Sequence, residues 1–331
     1  MLWYNIDIKA RLPLSARLNK CMKEAFQAYT KRRRLTMVSF KKLTLSDIDK
    51  IRPYFMLSKT RTCDNTVGGA FMWRDFFCEE YAIINDTMLF KLNYLNNQTA
   101  FTMPLGKDVF GALHSVADYC LENDMPMIIC SAAESDVMQL KTQFSVEAVK
   151  EENWSDYLYL ASDLANMKGK KYNGQRNHIN RFMRENTSYE FRVIDESNIG
   201  DIISFFNSFN MHNVKDTPIF IEEREKVYEV LNNYDCYGQT GLVLYAENSI
   251  AAFSVGEVIG DTLYVHIEKA DTDVEGAYQM IVREFAASNL QNGIVYVNRE
   301  EDVGDEGLRT SKLSYHPCEL IDKYTVKVKH E

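Results

Sequence analysis

Ten secondary-structure elements can be predicted in the second half of this 331-residue chain, and their order leaves few folds open. Apolar periodicity predicts strands and helices in the order β-α-α-β-β-β-α-β-α-β. Consecutive strands interrupted by helices are typical of an α/β (α+β) fold, with a mixed, mostly antiparallel sheet flanked by helices. The predicted segments are 189–194, 199–212, 219–231, 242–246, 250–258, 262–269, 276–289, 294–298, 305–314 and 320–328.

The first half carries a similar mixture of elements. Its pattern predicts strands in hairpins over 81–103, a helix over 108–123, a strand over 127–130 and a helix over 133–143. A polar segment near residue 150 then predicts a boundary between two domains, 37–150 and 151–331, which agrees with roughly 150 residues per domain.

Residues 1–36 differ from the rest in charge, with nine Lys or Arg and two acids in a chain of net charge −9. Two interpretations are open. Either Met37 is the natural start and the segment is an over-extension, or it is a basic arm that contacts RNA or a membrane. In both cases we expect residues 1–36 to pack little against the fold. The acidic remainder has no general attraction to nucleic acid, so any polyanion must bind a local basic patch.

Two further features predict a soluble, cytoplasmic protein without a metal or disulfide framework. No apolar run approaches the roughly 20 residues that cross a bilayer. The seven cysteines are scattered, odd in number and free of C-x-x-C pairs.

A polar stripe on the strand 262–269 is the first candidate site. Alternation places Tyr264, His266 and Glu268 on one face. If 259–261 form a three-residue loop, this stripe faces small residues of the preceding strand: Ala252, Ser254 and Gly256. Such a groove suits a substrate cleft with Glu268 or His266 as general base. The alternative is a solvated sheet face with a surface pair between Glu268 and Lys269.

The helix that follows this strand is a candidate phosphate site. Gly276 and Ala277 open it, followed by Tyr278, and small residues let a phosphate approach the N–H groups of a helix start. Plain helix initiation is the alternative.

The densest polar cluster spans 298–309, between a strand and a helix, where α/β proteins commonly place their sites. Here we expect Asn298 and Arg299 to close the groove, with Arg309 and Lys312 of the short helix in reach of donor phosphates. For the acidic residues of this cluster we favour hydrogen-bonding roles over a Mg²⁺ site, because their spacing matches no metal-binding loop.

The segment 168–184 has six Lys or Arg and no acid. On a helix, one face would carry Arg176, Asn180 and Arg184, and another Ile179, Phe182 and Met183. It is either a solvated amphipathic helix or a contact for the phosphates of a tRNA or a nucleotide. The candidate residues are Lys170, Lys171, Arg176, Arg181 and Arg184.

Several segments resemble a bacterial domain-of-unknown-function family that is grouped with the C-terminal domain of phosphatidylglycerol lysyltransferases. These segments are GKKYNGQRNHINRF (169–182), VHIEKADTDVEGAYQMI (265–281), VNREEDVGDEGLRTSKLSYHP (297–317), CDNTVGGAFMWRDF (63–76) and NDTMLF (85–90). The order of elements in the second half is also that of the GNAT acyltransferase fold. The resemblance covers roughly Phe40 to the C-terminus.

This resemblance implies tandem GNAT-like domains, with the architecture of Fem-type aminoacyl transferases. It implies that the fourth and fifth strands of the second half splay apart around an acyl donor, and that the next helix presents its N–H groups to donor phosphates. In GNAT enzymes a tyrosine at the end of the short helix often serves as general acid for the leaving thiolate, and Tyr315 occupies that position. The alternative for Tyr315 is an aromatic packing anchor.

Three functions remain open. One is a soluble aminoacyltransferase that uses aminoacyl-tRNA, which the basic segment supports. Another is an acyl-CoA-dependent N-acyltransferase, and the third is an inert tandem domain that binds a ligand or partner. We expect no tightly bound cofactor, a donor that is aminoacyl-tRNA or acyl-CoA, and a small-molecule or peptidic acceptor with an amine or hydroxyl; the oligomeric state stays open.

Overall fold

A computed structural model describes residues 38–94, 97–212 and 217–329. The segment 1–36 and Met37 lie outside these ranges. The strands are β1 (Lys41–Lys42), β2 (Glu80–Ile84), β3 (Thr87–Tyr94), β4 (Gln98–Phe101), β5 (Leu105–Gly106), β6 (Ile128–Ala133), β7 (Val146–Lys150), β8 (Asp156–Leu160), β9 (Tyr189–Val193), β10 (Thr240–Ala246), β11 (Ser249–Ile259), β12 (Thr262–Ala270), β13 (Tyr296–Asn298), β14 (Glu319–Ile321) and β15 (Lys323–Val328). The α-helices are α1 (Ile48–Phe55), α2 (Val67–Trp73), α3 (Val109–Glu122), α4 (Glu134–Leu140), α5 (Ala161–Asn166), α6 (Asn173–Glu185), α7 (Ile199–His212), α8 (Pro218–Asn232), α9 (Tyr234–Tyr237), α10 (Ala277–Asn289) and α11 (Glu306–Leu313).

The strands form two mixed sheets. The first has the order β1-β2-β3-β4-β6-β15-β7, with β5 paired to β3, and the second has the order β14-β8-β13-β12-β11-β10-β9. Most neighbours run antiparallel, while β4 with β6 and β12 with β13 run parallel. The predicted α/β class is confirmed, and so is the order of the predicted elements in the second half up to the final strand; the structure adds the short helix α9.

Three apolar clusters hold these layers together. Helices α3 and α4 cover one face of the first sheet, and α5, α6 and α10 cover one face of the second. The two remaining sheet faces share a single cluster with α1, α2, α7, α8 and α9, which lie between the sheets. Because alternate residues of each strand face opposite sides, both sheets are buried on both faces.

The predicted final strand 320–328 is wrong, because the chain breaks at Asp322 into two strands in different sheets. The side chain of Asp322 accepts a hydrogen bond from Ser155 Oγ (2.9 Å) and pairs with Lys150 Nζ (2.8 Å). These contacts hold the point where the chain passes from β14 to β15 close to the end of β7, where the chain first leaves the first sheet. Strand β15 thus completes the first sheet, although it falls in the second of the two predicted domains. The boundary near residue 150 stays a prediction.

Strand β8 lies between β13 and β14 in the second sheet, at a place where the sequence patterns predict no strand. Its five residues are almost wholly buried, so it lacks the alternation of apolar and polar residues that identifies a half-buried strand from sequence.

The parallel pair β12 and β13 separates as expected from the resemblance. Thr262, Leu263 and Tyr264 pair with Tyr296, Val297 and Asn298, after which β13 ends and β12 continues to Ala270. The hairpin before β12 has a two-residue loop, Gly260-Asp261, and not the predicted three-residue loop. The register then leaves His266 as an extra residue in a bulge. Ser254 does face Glu268, as expected.

No helix in the part of the chain that the structure describes is long and apolar enough to span a membrane.

Candidate active site

A cavity of about 550 Å³ opens where β12 and β13 separate, between the two sheets. The lining from the second half includes several apolar side chains and a group of charged residues and tyrosines: His266, Glu268, Lys269, Tyr278, Arg299, Lys312 and Tyr315. The other end, which we call the aromatic arm, is lined by Asp64, Phe77, Glu79, Tyr94 and Trp154. One cavity therefore touches both sheets.

Glu268, Arg299 and Tyr315 form a connected group in this cavity. An Arg299 Nη2–H group donates to Glu268 Oε2, and the guanidinium lies 4.7 Å from the centre of the Tyr315 ring. Arg299 Nη1 is buried and finds no hydrogen-bond partner in the ranges that the structure covers. Burial raises the pKa of Tyr315, so its hydroxyl stays protonated at neutral pH. The group thus offers a carboxylate, a free N–H donor and a phenol.

His266 lies between two carboxylates at the edge of the cavity. Its Nε2 is 2.9 Å from Glu257 Oε1, and its Nδ1 is 2.7 Å from Glu300 Oε1. Burial alone would lower the pKa of His266, but the two carboxylates outweigh it and raise the pKa to about 10. A protonated imidazole has no free electron pair, so the predicted role of His266 as general base does not suit its position.

Gly68 lets the first half approach His266. Its N–H donates to Glu257 Oε1 (2.7 Å), and a Cβ at this position would lie 2.2 Å from the imidazole ring. The glycine at the start of α2 therefore makes room for the His266 cluster across the two halves.

We expect the charge of His266 to make stability pH-dependent. The folded protein keeps this proton up to about pH 10, whereas the unfolded chain releases it near 6.5. The contribution is complete below pH 6.5 and is lost as pH rises toward 10. Urea titrations over this window should show the free energy of unfolding of the wild type falling relative to His266→Gln. A constant difference between the two proteins would mean that His266 is neutral.

A second polar cluster surrounds Lys323 beneath the cavity. Lys323 is fully buried, and its Nζ lies 2.7 Å from Asp64 Oδ2 and 2.8 Å from Asp156 Oδ1 and also contacts Glu301. Cys63, Asp156 and Glu301 offer ligand atoms within 4.8 Å of one another, a spacing that could hold a metal ion. The Lys323 ammonium already supplies a cation to two of these groups, so a metal ion does not fit well here.

Two residues predicted to close or serve the groove have other partners. Asn298 is fully buried, and its side-chain amide donates to Arg61 O (2.7 Å) and Asp156 Oδ2 (2.8 Å) while its oxygen accepts from Glu300 N–H. Arg309 makes a bidentate pair with Asp302, at 2.8 and 2.9 Å. Neither lines the cavity. Both hold the loop after β13 in shape.

The helix start at Gly276 and Ala277 is covered and does not line the cavity. A Cβ on Gly276 would lie 2.3 Å from the carbonyl oxygen of His178, because α6 packs against this turn. His178 Nδ1 is also 2.5 Å from Glu275 Oε1. A phosphate would have to displace α6 and approach a carboxylate, so the expected phosphate cradle is wrong here. Tyr278, one turn further on, does line the cavity.

The basic segment forms helix α6 as expected, but none of its basic residues lines the cavity. Arg176 donates to Met167 O (2.5 Å) and Gly169 O (2.7 Å), Lys171 pairs with Asp163 (2.9 Å), and Arg181 pairs with Glu185 (2.8 Å). Arg184 also lies 3.6 Å from Glu185. Neighbouring carboxylates and carbonyl groups therefore offset much of the positive charge of this segment. Lys170 is exposed and is not among these paired residues.

Sequence patterns missed several groups of the site, among them Glu79, Asp156, Glu257 and Lys323. One signal was available in the sequence: Asp156 directly precedes the apolar run of β8, and a charged residue at a buried strand position usually has a partner. Its pairing with Lys323 depends on the crossing of β15 into the first sheet, which no local pattern indicates.

Known structures share this architecture. A conserved protein of unknown function from Bacteroides thetaiotaomicron is 33% identical with a TM-score of 0.81, covering 88% of this chain and all of that one. L-PGS from Bacillus licheniformis is 13% identical with a TM-score of 0.59, covering 86% of this chain and 92% of that one. FemX is 8% identical with a TM-score of 0.55, covering 87% of this chain and 96% of that one. The chain thus has a tandem GNAT-like fold.

A family model described as "Phosphatidylglycerol lysyltransferase, C-terminal" matches residues 55–327. The match includes the second sheet, the first sheet apart from β1 and the last residue of β15, all the residues that line the cavity, and the segments that carried the resemblance in the sequence. The chain belongs to this family, that of the C-terminal domain of phosphatidylglycerol lysyltransferases.

Proposed function

We propose that this protein transfers an aminoacyl group from an aminoacyl-tRNA to an amine or hydroxyl acceptor. The observation that carries the proposal is the group of Glu268, Arg299 and Tyr315 in the cavity where β12 and β13 separate. An acyl donor in this gap would meet a carboxylate, a free N–H donor and a phenol together. These are the three kinds of group that acyl transfer uses.

Each group has a role in the proposed reaction. Glu268 accepts the proton of the attacking amine or hydroxyl, directly or through a water. The free Nη1–H of Arg299 donates to the carbonyl oxygen as it becomes an oxyanion. When the tetrahedral intermediate collapses, the ester C–O bond breaks and Tyr315 gives its proton to the departing ribose oxygen. Solvent then returns the proton from Glu268 to Tyr315, so the enzyme is regenerated.

The phenol favours an ester donor over a thioester. Burial raises the pKa of Tyr315, which makes it a weak acid. A departing alkoxide is basic enough to take a proton from such an acid, whereas a thiolate, with a pKa of about 8.5, gains little from it. The covered start of α10 points the same way, since it withholds the N–H groups that a CoA pyrophosphate would need.

The basic segment lies beside the Tyr315 end of the site. Tyr172 O–H donates to Tyr315 O (3.1 Å), and His316 Nε2 is 2.9 Å from Lys171 O. We propose that the exposed Lys170 contacts tRNA phosphates there, together with Lys171, Arg181 and Arg184, which lie on the surface and would exchange their present carboxylate partners for phosphates. Arg176 shapes the loop before α6. The Lys312 amine, in the cavity, would face the donor.

A stabilisation screen tests the choice of donor. Thermal melts would be recorded with minihelix RNAs that carry an amide-linked aminoacyl group, with the same RNAs uncharged, and with acetyl-CoA. A ligand at 100 times its Kd adds about 2.7 kcal/mol of stability, so binding raises the melting temperature by several degrees. We expect the aminoacylated RNA to stabilise most. Stabilisation by acetyl-CoA alone would favour the acyl-CoA-dependent enzyme.

A further inference from the structure

The aromatic arm contains a buried carboxyl group that finds no counter-ion within the described ranges. Glu79 is 7% exposed, and its Oε2 has no hydrogen-bond partner among the residues that the structure describes. Arg74, the cation whose charge acts on Glu79, is held by Glu229 through two contacts of 2.6 and 2.7 Å. A second group in the arm, the Tyr94 hydroxyl, is also buried without a partner in the same ranges. A pocket that leaves two polar groups unpaired calls for a ligand that pairs them.

Aromatic rings form the wall of this arm. Phe77, Tyr94 and Trp154 are mutual neighbours, with each pair of ring centres 6.3 Å apart. Trp73 also lines the cavity. Ring faces attract cations, and a carboxylate beside several rings is the composition of sites that hold ammonium groups.

The charge in the arm has one sign. Asp64 faces the same space, and its repulsion contributes to the raised pKa of Glu79, after burial. Lys323, the cation nearby, is already shared among Asp64, Asp156 and Glu301. An anion would be repelled here, and an uncharged alkyl group would leave Glu79 unpaired.

The backbone around the cavity is also under strain. Ser131 on β6, Glu300 and the β-branched Val303 all line the cavity with positive φ values of 49°, 57° and 48°. Such conformations cost free energy and tend to occur where a ligand site is being shaped.

We propose that the aromatic arm binds the ammonium end of an alkylamine, with Glu79 as its counter-ion and the rings of Phe77, Tyr94 and Trp154 around it. The proposal rests on the proposed function in one respect only. In the proposed reaction the amine is part of the acceptor, and the nucleophile of that acceptor extends from the aromatic arm to Glu268. The binding itself needs no donor and no turnover.

Tryptophan fluorescence can test this binding directly. Trp73 and Trp154 line the cavity, and the chain has three tryptophans in all. Wild-type protein would be titrated at pH 8 with n-butylamine, which is then protonated, and with n-butanol, its uncharged analogue of equal length. We expect a saturable fluorescence change with the amine, and at least tenfold weaker binding of the alcohol.

The variant Glu79→Gln removes the counter-ion and keeps the shape. We expect it to bind n-butylamine at least tenfold more weakly, while Glu80→Gln, the same change at the next residue, binds like the wild type. Before an amine binds, burial raises the pKa of Glu79 well above 4.5, so the neutral Gln should not unfold the protein. A bound ammonium favours the carboxylate form, which Gln cannot supply.

Two results would overturn the proposal: equal affinity of the wild type for n-butanol and n-butylamine, or unchanged amine binding by a folded Glu79→Gln. The first comparison uses wild-type protein alone, so it stands even if the variant does not fold. Amine binding in a protein that transfers no aminoacyl group would leave this inference intact and remove only the proposed function.

Discussion

Replacing Lys323 with methionine should lower the free energy of unfolding by about 3–5 kcal/mol, the usual cost of removing one partner from a buried ion cluster. Burial alone would lower the pKa of Lys323, but the neighbouring carboxylates raise it well above 10.5, so the side chain is charged. Without it, Asp64, Asp156 and Glu301 would share one buried space with no cation. These three come from both halves of the molecule, so the loss would weaken the junction between the sheets.

The matched control is Lys327→Met on the same strand. Lys327 is exposed, and surface changes of this kind usually fall within about 0.5 kcal/mol. Urea denaturation of the three proteins at pH 7 measures both effects. A Lys323→Met protein within 1 kcal/mol of the wild type would show that the cluster does not depend on its lysine.

Glu268→Gln should reduce aminoacyl transfer by about 10²- to 10⁴-fold, the usual contribution of a general base. Gln keeps an oxygen that can accept from Arg299 and has the same shape, but it cannot take a proton from the acceptor. The lost charge leaves Arg299 with its two ring contacts, at 4.7 Å to Tyr315 and 5.8 Å to Tyr159. We therefore expect a stability cost of about 1–3 kcal/mol with the fold retained.

Glu284→Gln is the control for this change. Glu284 lies on the outer helix α10 and does not line the cavity. Its rate should equal that of the wild type. If a folded Glu268→Gln protein kept full activity, Glu268 would be structural, and a water or Lys312, whose pKa burial lowers, would have to serve as the base.

The sequence allowed the architecture of the second half to be predicted because periodicity reports burial, and burial follows the sheets. The gap between β12 and β13, and the presence of Glu268, Arg299, Lys312 and Tyr315 beside it, follow from that architecture. Local patterns failed where a contact depends on a distant segment. The Lys323 cluster exists only because Asp322 turns the chain into the first sheet.

The errors at Gly276 and Asn298 have a common cause. Both stand at the end of a strand or the start of a helix, where sites often occur, but position in an element does not reveal what packs against it. At Gly276 the covering element is α6, and at Asn298 the partners are Arg61 and Asp156. His266 was placed correctly at the cavity, yet its charge depends on Glu257 and Glu300, whose approach the alternation of β12 does not show.

Transfer of a labelled amino acid is the most direct test of the proposed activity. Wild-type protein would be incubated with a pool of tRNAs charged with ¹⁴C-labelled amino acids, together with a primary amine or an alcohol and without acetyl-CoA. The label that leaves the RNA and appears in a covalent acceptor product would be counted. We predict label in the acceptor product, at a rate that Glu268→Gln reduces by at least about 100-fold. No transfer from any charged tRNA, with acetylation of the same acceptors by acetyl-CoA, would contradict the proposal.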